Sequence, residues 1–353
     1  MTMFKTVAVA VAAFSYCSSA KVFEVTDSLP NSPIPYVVRH LEGPKVQLAD
    51  DVFRTLTDTA TTSNGSSDPV AAGFSMLLTN GKPNQIVPPH YHVHWHETFI
   101  PMTGQVRVWA NGKPRDLGAG DFAMVPAYTR HSYQFVAQET EFLGLIQPAG
   151  FDEFFLNVSS PWNPVYNVPF PPDQAIAFPT NAYQAVAKQF DINVAPMNTS
   201  TPVGGADWHE ANGTLPADHQ TAYFLANGEG PHYWLESVGA VISPLATPIQ
   251  TAGNFTISQI SMRKTLNGTH PGWCSSEHQF IYGMDGEVKV RLAGEEVRLI
   301  KGDALFIPAN TNFTLVSSVN YNKFLLCASG SDGIDTQMVE AGEGWPYSTP
   351  PAH

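Results

Sequence analysis

The densest chemistry in the chain lies in one run, His90-Tyr91-His92-Val93-His94-Trp95-His96-Glu97. On an extended strand residues two apart face the same way, so His90 and His92 can converge on one ion. Glu97 stands an odd number of residues from His92, and a straight strand would turn it to the opposite face. A turn or bulge before Glu97 is therefore required, and it would carry His94 and His96 away from the site. A further imidazole comes from His131, which follows a strand opened by Gly120-Asp121 and ended by Pro126. Three imidazoles and one carboxylate, His90, His92, His131 and Glu97, suit Zn, Cu, Fe, Ni, Co or Mn. An open coordination position would make such a site catalytic rather than structural. Any one of these histidines alone would more simply fill a wet loop. The cluster with a matched distal histidine points to one transition metal per chain.

These residues need short strands and tight turns to position them. Strand-like stretches are Gln105–Trp109, Phe122–Val125, Glu141–Ile146, Val288–Leu292 and Ala304–Ile307, separated by turn signals such as Asn111-Gly112 and Asp285-Gly286. This spacing predicts an all-β sandwich or barrel. There is also an internal repeat. G-Q-V-R-V-W (Gly104–Trp109) and G-D-F-A-M-V-P (Gly120–Pro126) recur as G-E-V-K-V-R (Gly286–Arg291) and G-D-A-L-F-I-P (Gly302–Pro308). Two copies of one β-domain account for the matched order and separation. Between them a proline-rich linker, 159–220, carries one short predicted helix over Ala182–Phe190, and its Trp162, Tyr166 and Phe170 imply that it packs on the domains.

The metal run and the second motif resemble the cupin superfamily, whose pattern is H-x-H, three or four residues, E, six residues, G, and then G, five residues, P-x-G-x-x-H. Here the first reads His90-x-His92, V-H-W-H, Glu97, T-F-I-P-M-T, Gly104, and the second runs from Gly120 to His131 with Tyr128 in place of the usual glycine. The resemblance implies two jelly-roll-like cupin barrels: an N-terminal metal-binding domain over 21–158 and a metal-free C-terminal one over 221–353. The second copy loses its ligands. Gln279 falls at the glutamate position, Gly272 and Cys274 at the paired histidines and Phe313 at the distal one, while His270 and His278 are off register.

A narrower resemblance, to fungal quercetin 2,3-dioxygenases, rests on P-Y-V-V-R-H (Pro35–His40), A-G-F-D-E-F-F (Ala149–Phe155), A-N-G-E-G-P-H-Y (Ala226–Tyr233), F-T-I-S-Q-I-S-M (Phe255–Met262) and S-G-S-D-G-I-D (Ser329–Asp335). It implies copper in the N-terminal barrel, Glu97 as the base for a flavonol hydroxyl, O₂ as co-substrate and CO as a product. Family pocket positions fall on Phe53, Leu77, Thr79, Phe99 and Tyr133, with Phe53, Leu77 and Tyr133 standing where the fungal enzymes have Tyr, Met and Phe. Each of these alone reads equally as barrel core. Other implied readings are a tailoring oxygenase of secondary metabolism, an oxalate-type decarboxylase and a non-catalytic extracellular binding or storage cupin.

Composition bounds the partners. The 353 residues suit two domains, and a formal net charge of −13 with 18 Lys+Arg argues against nucleic acid and anionic membranes. Lys5, an apolar run over Val7–Phe14 and Ser18-Ser19-Ala20 read as a secretory signal over 1–20, too short to span a bilayer. Asn64, Asn157, Asn198, Asn212, Asn254, Asn267 and Asn312 lie in N-x-S/T sequons, consistent with a secreted glycoprotein. After the signal only Cys274 and Cys327 remain, and spacing leaves open whether they bridge. A monomer and a homodimer are both compatible with the sequence.

Overall fold

Strict alternation along each strand decides what the protein buries where. In Gln279–Asp285, Phe280 and Tyr282 point into one apolar core while Ile281 points into another. In Phe122–Val125, Phe122 and Met124 likewise part from Ala123 and Val125. Strands apolar on both faces need cover on both sides. The computed structural model describes residues 21–62, 73–162, 164, 169, 177–200, 213–265 and 271–351. The proposed signal, the linker residues Tyr166 and Phe170, His270 and the sequons at Asn64, Asn212 and Asn267 lie outside the described residues.

The strands form two unequal pairs of sheets, one pair for each cupin barrel. In the N-terminal half an eight-stranded sheet faces a smaller one containing His90–Tyr91, Val106–Ala110, Lys113–Leu117 and His131–Phe135. In the C-terminal half a nine-stranded sheet faces Glu287–Leu292, Glu295–Ile300 and Phe313–Val316. The small C-terminal sheet is solvated on its outer side, and Glu295–Ile300 alternates buried and exposed accordingly. The two large sheets pack back to back. Leu78, Met76, Ile100, Phe122 and Leu145 of one meet Phe255, Phe280, Phe306 and Cys327 of the other in a shared core. Cys327 is a buried free thiol there, so it and Cys274 are not joined to each other.

The barrels do not divide at the boundaries expected from the repeat. Tyr36–Val38 pairs with Ala304–Ile307 of the C-terminal sheet, and Phe23–Val25 adds beside it in parallel. Reciprocally, Tyr223–Leu225 pairs with Phe122–Val125 of the N-terminal sheet. Each Gly-Asp-(x)₄-Pro strand thus takes a partner from the other half. The repeated aspartates explain why. Asp121 closes its own turn by accepting from Gly118 N–H at 2.7 Å and holds the arriving strand by accepting from Asn227 N–H at 2.8 Å. Asp303 accepts from Ile300 N–H and pairs with Arg39 Nη1 at 2.8 Å.

The linker also differs from expectation. Its helix spans Thr180–Val186, short of the predicted Phe190. The chain turns through Asp191 at φ +50°, and Ile192 N–H donates to the Ala187 carbonyl at 2.8 Å. Asn193–Val194 then pairs with His90–Tyr91. The described linker is therefore part of the wall around the histidines.

Because the barrels share one core and exchange strands, they should unfold together. Urea denaturation followed by far-UV and near-UV signals is expected to give one coincident transition. Phe280→Ala should cost about 3–5 kcal/mol without splitting it. Two separated transitions would show that the shared core does not couple the barrels.

Candidate metal centre

The turn demanded by the spacing lies at residues 92–95, between the strands His90–Tyr91 and His96–Thr103. It returns Glu97 to the interior on the large sheet, where it pairs with Val125 and Ile146. On the small sheet His90 and His131 are direct cross-strand partners, with ring centroids 4.3 Å apart. His90, His92, Glu97 and His131 each offer one ligand atom, all within 4.8 Å of one another. An ion with bonds of about 2.1 Å bridges ligands up to about 4.2 Å apart, so small side-chain movements suffice. His94 is exposed, and His96, adjacent to Glu97 in the same strand, faces away.

Every imidazole is oriented from behind. Nδ1 of His90 lies 2.8 Å from the Pro88 carbonyl, that of His92 3.0 Å from the Asp191 carbonyl, and that of His131 2.9 Å from the Thr129 carbonyl. With Nδ1–H donated to each carbonyl, all three Nε2 lone pairs face inward, the usual way a protein prepares histidine for a cation. His92 Nε2 and His131 Nε2 lie 3.2 Å from the two oxygens of Glu97. Neither contact is an aligned hydrogen bond, and both Nε2 atoms are buried without one. Buried orphan acceptors turned towards a carboxylate fit a transition-metal cation between them.

The electrostatics agree with the geometry. Burial, then the neighbouring His131 and His92, push His90 down to about 3, so it stays neutral and able to ligate. Burial opposes protonation of His92 as well, but Glu97 and the Asp191 carbonyl outweigh it and raise its pKa. Burial would raise Glu97, yet the charges and proximity of His131 and His92 hold it well below the usual carboxylate range.

A cavity of about 300 Å³ opens from Glu97 and His90. Phe53, Leu77, Thr79, Phe99 and Tyr133, the positions suggested by resemblance, all line it. So do Asp51, Phe142 and the cluster Phe151, Phe154 and Phe155, which sequence reasoning did not single out. The spacing of those last three, one face of a short helix, was the available signal. Phe53 stacks on Phe155 with centroids 3.9 Å apart, and Phe178, Tyr183 and Ile192 of the linker complete the wall.

Asp191 was also missed. Its carboxylate accepts from Val93 N–H at 2.5 Å and His94 N–H at 2.8 Å, while its carbonyl orients His92. One linker residue thus shapes the turn that brings Glu97 home. Tyr128, the departure from the motif glycine, takes φ +66° and donates its N–H to the His92 carbonyl at 2.6 Å. The equivalent residue of the second barrel, Asn310, has φ +58°, a conformation asparagine tolerates better.

The second barrel has the scaffold without the cluster among the described residues. Gln279 accepts from Ile334 N–H at 3.1 Å, Phe313 is core, and His278 accepts from Ala309 N–H at 3.0 Å.

Two barrels of this topology, one of them bearing a His₃Glu cluster, have a bicupin-like fold. Residues 78–143 match the cupin domain family. The chain is 27% identical over 93% of its length to a quercetin 2,3-dioxygenase of Aspergillus japonicus, of which it covers 98%. It is 31% identical over 41% of its length to one from Bacillus subtilis, of which it covers 40%. These similarities support an oxidoreductase of the dioxygenase class. In fold it is similar to an oxalate decarboxylase from Lactobacillus farciminis, solved as a formate complex. The two are 15% identical, with 87% of this chain and 89% of that chain covered and a TM-score of 0.53.

Two substitutions test the local construction. Asp191→Ala should weaken metal binding about 10- to 100-fold in competition with a chelator of known affinity; unchanged affinity would show that the turn holds without it. Tyr128→Gly, relieving the left-handed conformation, should raise unfolding stability by about 1 kcal/mol. A loss of stability would mean that the exposed ring contributes more than its backbone strain costs.

Proposed function

We propose that this protein is a metal-dependent dioxygenase that opens the heterocyclic ring of a flavonol with O₂ and releases CO. The observation that carries this reading is the continuity between the His₃Glu cluster and a cavity of about 300 Å³ walled largely by phenylalanine rings. A small dicarboxylate such as oxalate would leave most of that cavity unfilled. The bound metal, for which the fungal resemblance favours copper, would supply Lewis acidity and a redox partner for O₂. The chain's own residues do the rest. Glu97, ionised and at the junction of cluster and cavity, accepts the proton of the substrate hydroxyl. Phe53, Phe99 and Tyr133 hold the ring system flat, and the linker wall excludes water.

The same reading takes the protein as secreted, on its leader-like first residues and its sequons. Asn157, Asn198 and Asn312 are exposed, as glycan acceptors must be.

Metal-loaded protein supplied with quercetin and O₂ should release CO, and with oxalate should release neither CO nor CO₂. Glu97→Gln should retain part of its metal and lose turnover at least about 100-fold. CO₂ from oxalate without CO from any flavonol would reassign the protein to decarboxylation.

A further inference from the structure

Asp51 stands at the other end of the cavity from the metal cluster. Val52 pairs with Asn80, which puts Asp51 beside Gly81, and Gly81 in turn pairs with Thr140. Glu97 pairs with Ile146 on that same Thr140–Gln147 strand, so the two carboxyls mark opposite ends of one inward face. Gly81 is required there, since a Cβ would collide with Asp51 Oδ1 and the Phe135 ring.

The Asp51 side chain is only 3% exposed, lines the cavity, and has an Oδ1 with no hydrogen-bond partner. Carboxyls buried for structural reasons in this protein are bonded. Asp152 accepts from Ser75 Oγ at 2.5 Å, and Asp335 accepts from Thr256 and Ser258 at 2.7 and 2.8 Å. No cation pairs with Asp51 among the described residues; Lys82 Nζ lies 3.5 Å from Asp50 instead. Burial, and then Asp50, push the Asp51 carboxyl well above the usual range. Its carboxyl is thus a polar group in the wall of a cavity that Phe53, Phe99, Phe142 and Tyr133 also line, with Oδ1 turned towards Gly81 and the Phe135 ring and left unpaired.

Resting on the flavonol reading above, we infer that Asp51 is a specificity-determining residue, which binds a hydroxyl on the substrate ring remote from the metal. A buried polar group left unpaired by the wrong ligand discriminates more sharply than an apolar wall does.

The test is anaerobic equilibrium binding to metal-loaded protein, read by quenching of tryptophan fluorescence, so that no turnover intervenes. Quercetin, hydroxylated on both terminal rings, is compared with 3-hydroxyflavone, which carries only the metal-side hydroxyl. Wild type should prefer quercetin by about tenfold, the worth of one hydrogen bond with a neutral buried partner. Asp51→Asn, which still donates and accepts, should keep most of that preference. Asp51→Leu should reduce it to about twofold or less without lowering the melting temperature, whereas a structural carboxyl would give a lower one. Retention of the preference in Asp51→Leu, or its absence in wild type, would overturn the inference. If wild type binds neither flavonol, the substrate reading falls. The pair 2-naphthol and naphthalene then decides the role of Asp51 alone, and no preference for the alcohol in wild type overturns it.

Discussion

The site depends on three backbone carbonyls. Pro88, Thr129 and Asp191 each take the Nδ1–H of one histidine and so leave its Nε2 as the inward lone pair. A carbonyl can do this only if its own segment is held still. Pro88 precedes a strand paired on both sides, Thr129 lies in the turn that Tyr128 ties to His92, and Asp191 lies in the turn that follows the linker helix. The cluster is thus assembled from loop, turn and linker, while Glu97 comes from the large sheet. Displacing any of these segments would rotate a ring and scatter the lone pairs.

The two barrels show what happens when the same frame is given a different interior. Position for position, Glu97 and Gln279 occupy the same place beside the Gly-Asp-(x)₄-Pro strand, since one pairs with Val125 and the other with Ile307. In the second barrel that side chain caps the helix Ile334–Ala341 through Ile334 N–H instead of facing a metal. Phe313 and Leu315, which take the places of His131 and Tyr133, belong there to a continuous apolar core with Val288, Val290 and Leu299. Ligand positions of that barrel are given over to apolar packing, since an interior space without a ligand is a packing defect.

The ligand set was legible because metal geometry constrains residues close in sequence. H-x-H on a strand, an odd step to Glu97 and a proline-ended strand before His131 each have a local reading. The repeated Gly-Asp strands were legible for the same reason. Asp191 was not, since its bonds to residues 92–94 cross about a hundred residues and its immediate neighbours show nothing unusual. Asp50-Asp51 reads as an ordinary hairpin corner, and only the register with Gly81 shows which of the two turns inward. The strand exchange left no signal either, because segments as short as Tyr36–Val38 and Tyr223–Leu225 carry too few residues for periodicity to declare their partner.

That exchange sets an order on synthesis. A ribosome delivering about 5–20 residues each second completes Phe122–Val125 well before Tyr223–Leu225 emerges to cover its edge. Tyr36–Val38 waits longer still, through about 270 further residues, until Ala304–Ile307 is made. For that interval the nascent chain carries open strand edges able to pair with any other chain nearby. Tyr36–Val38 is made early and sheltered late, and neither large sheet is complete until strands from both halves of the chain have been made.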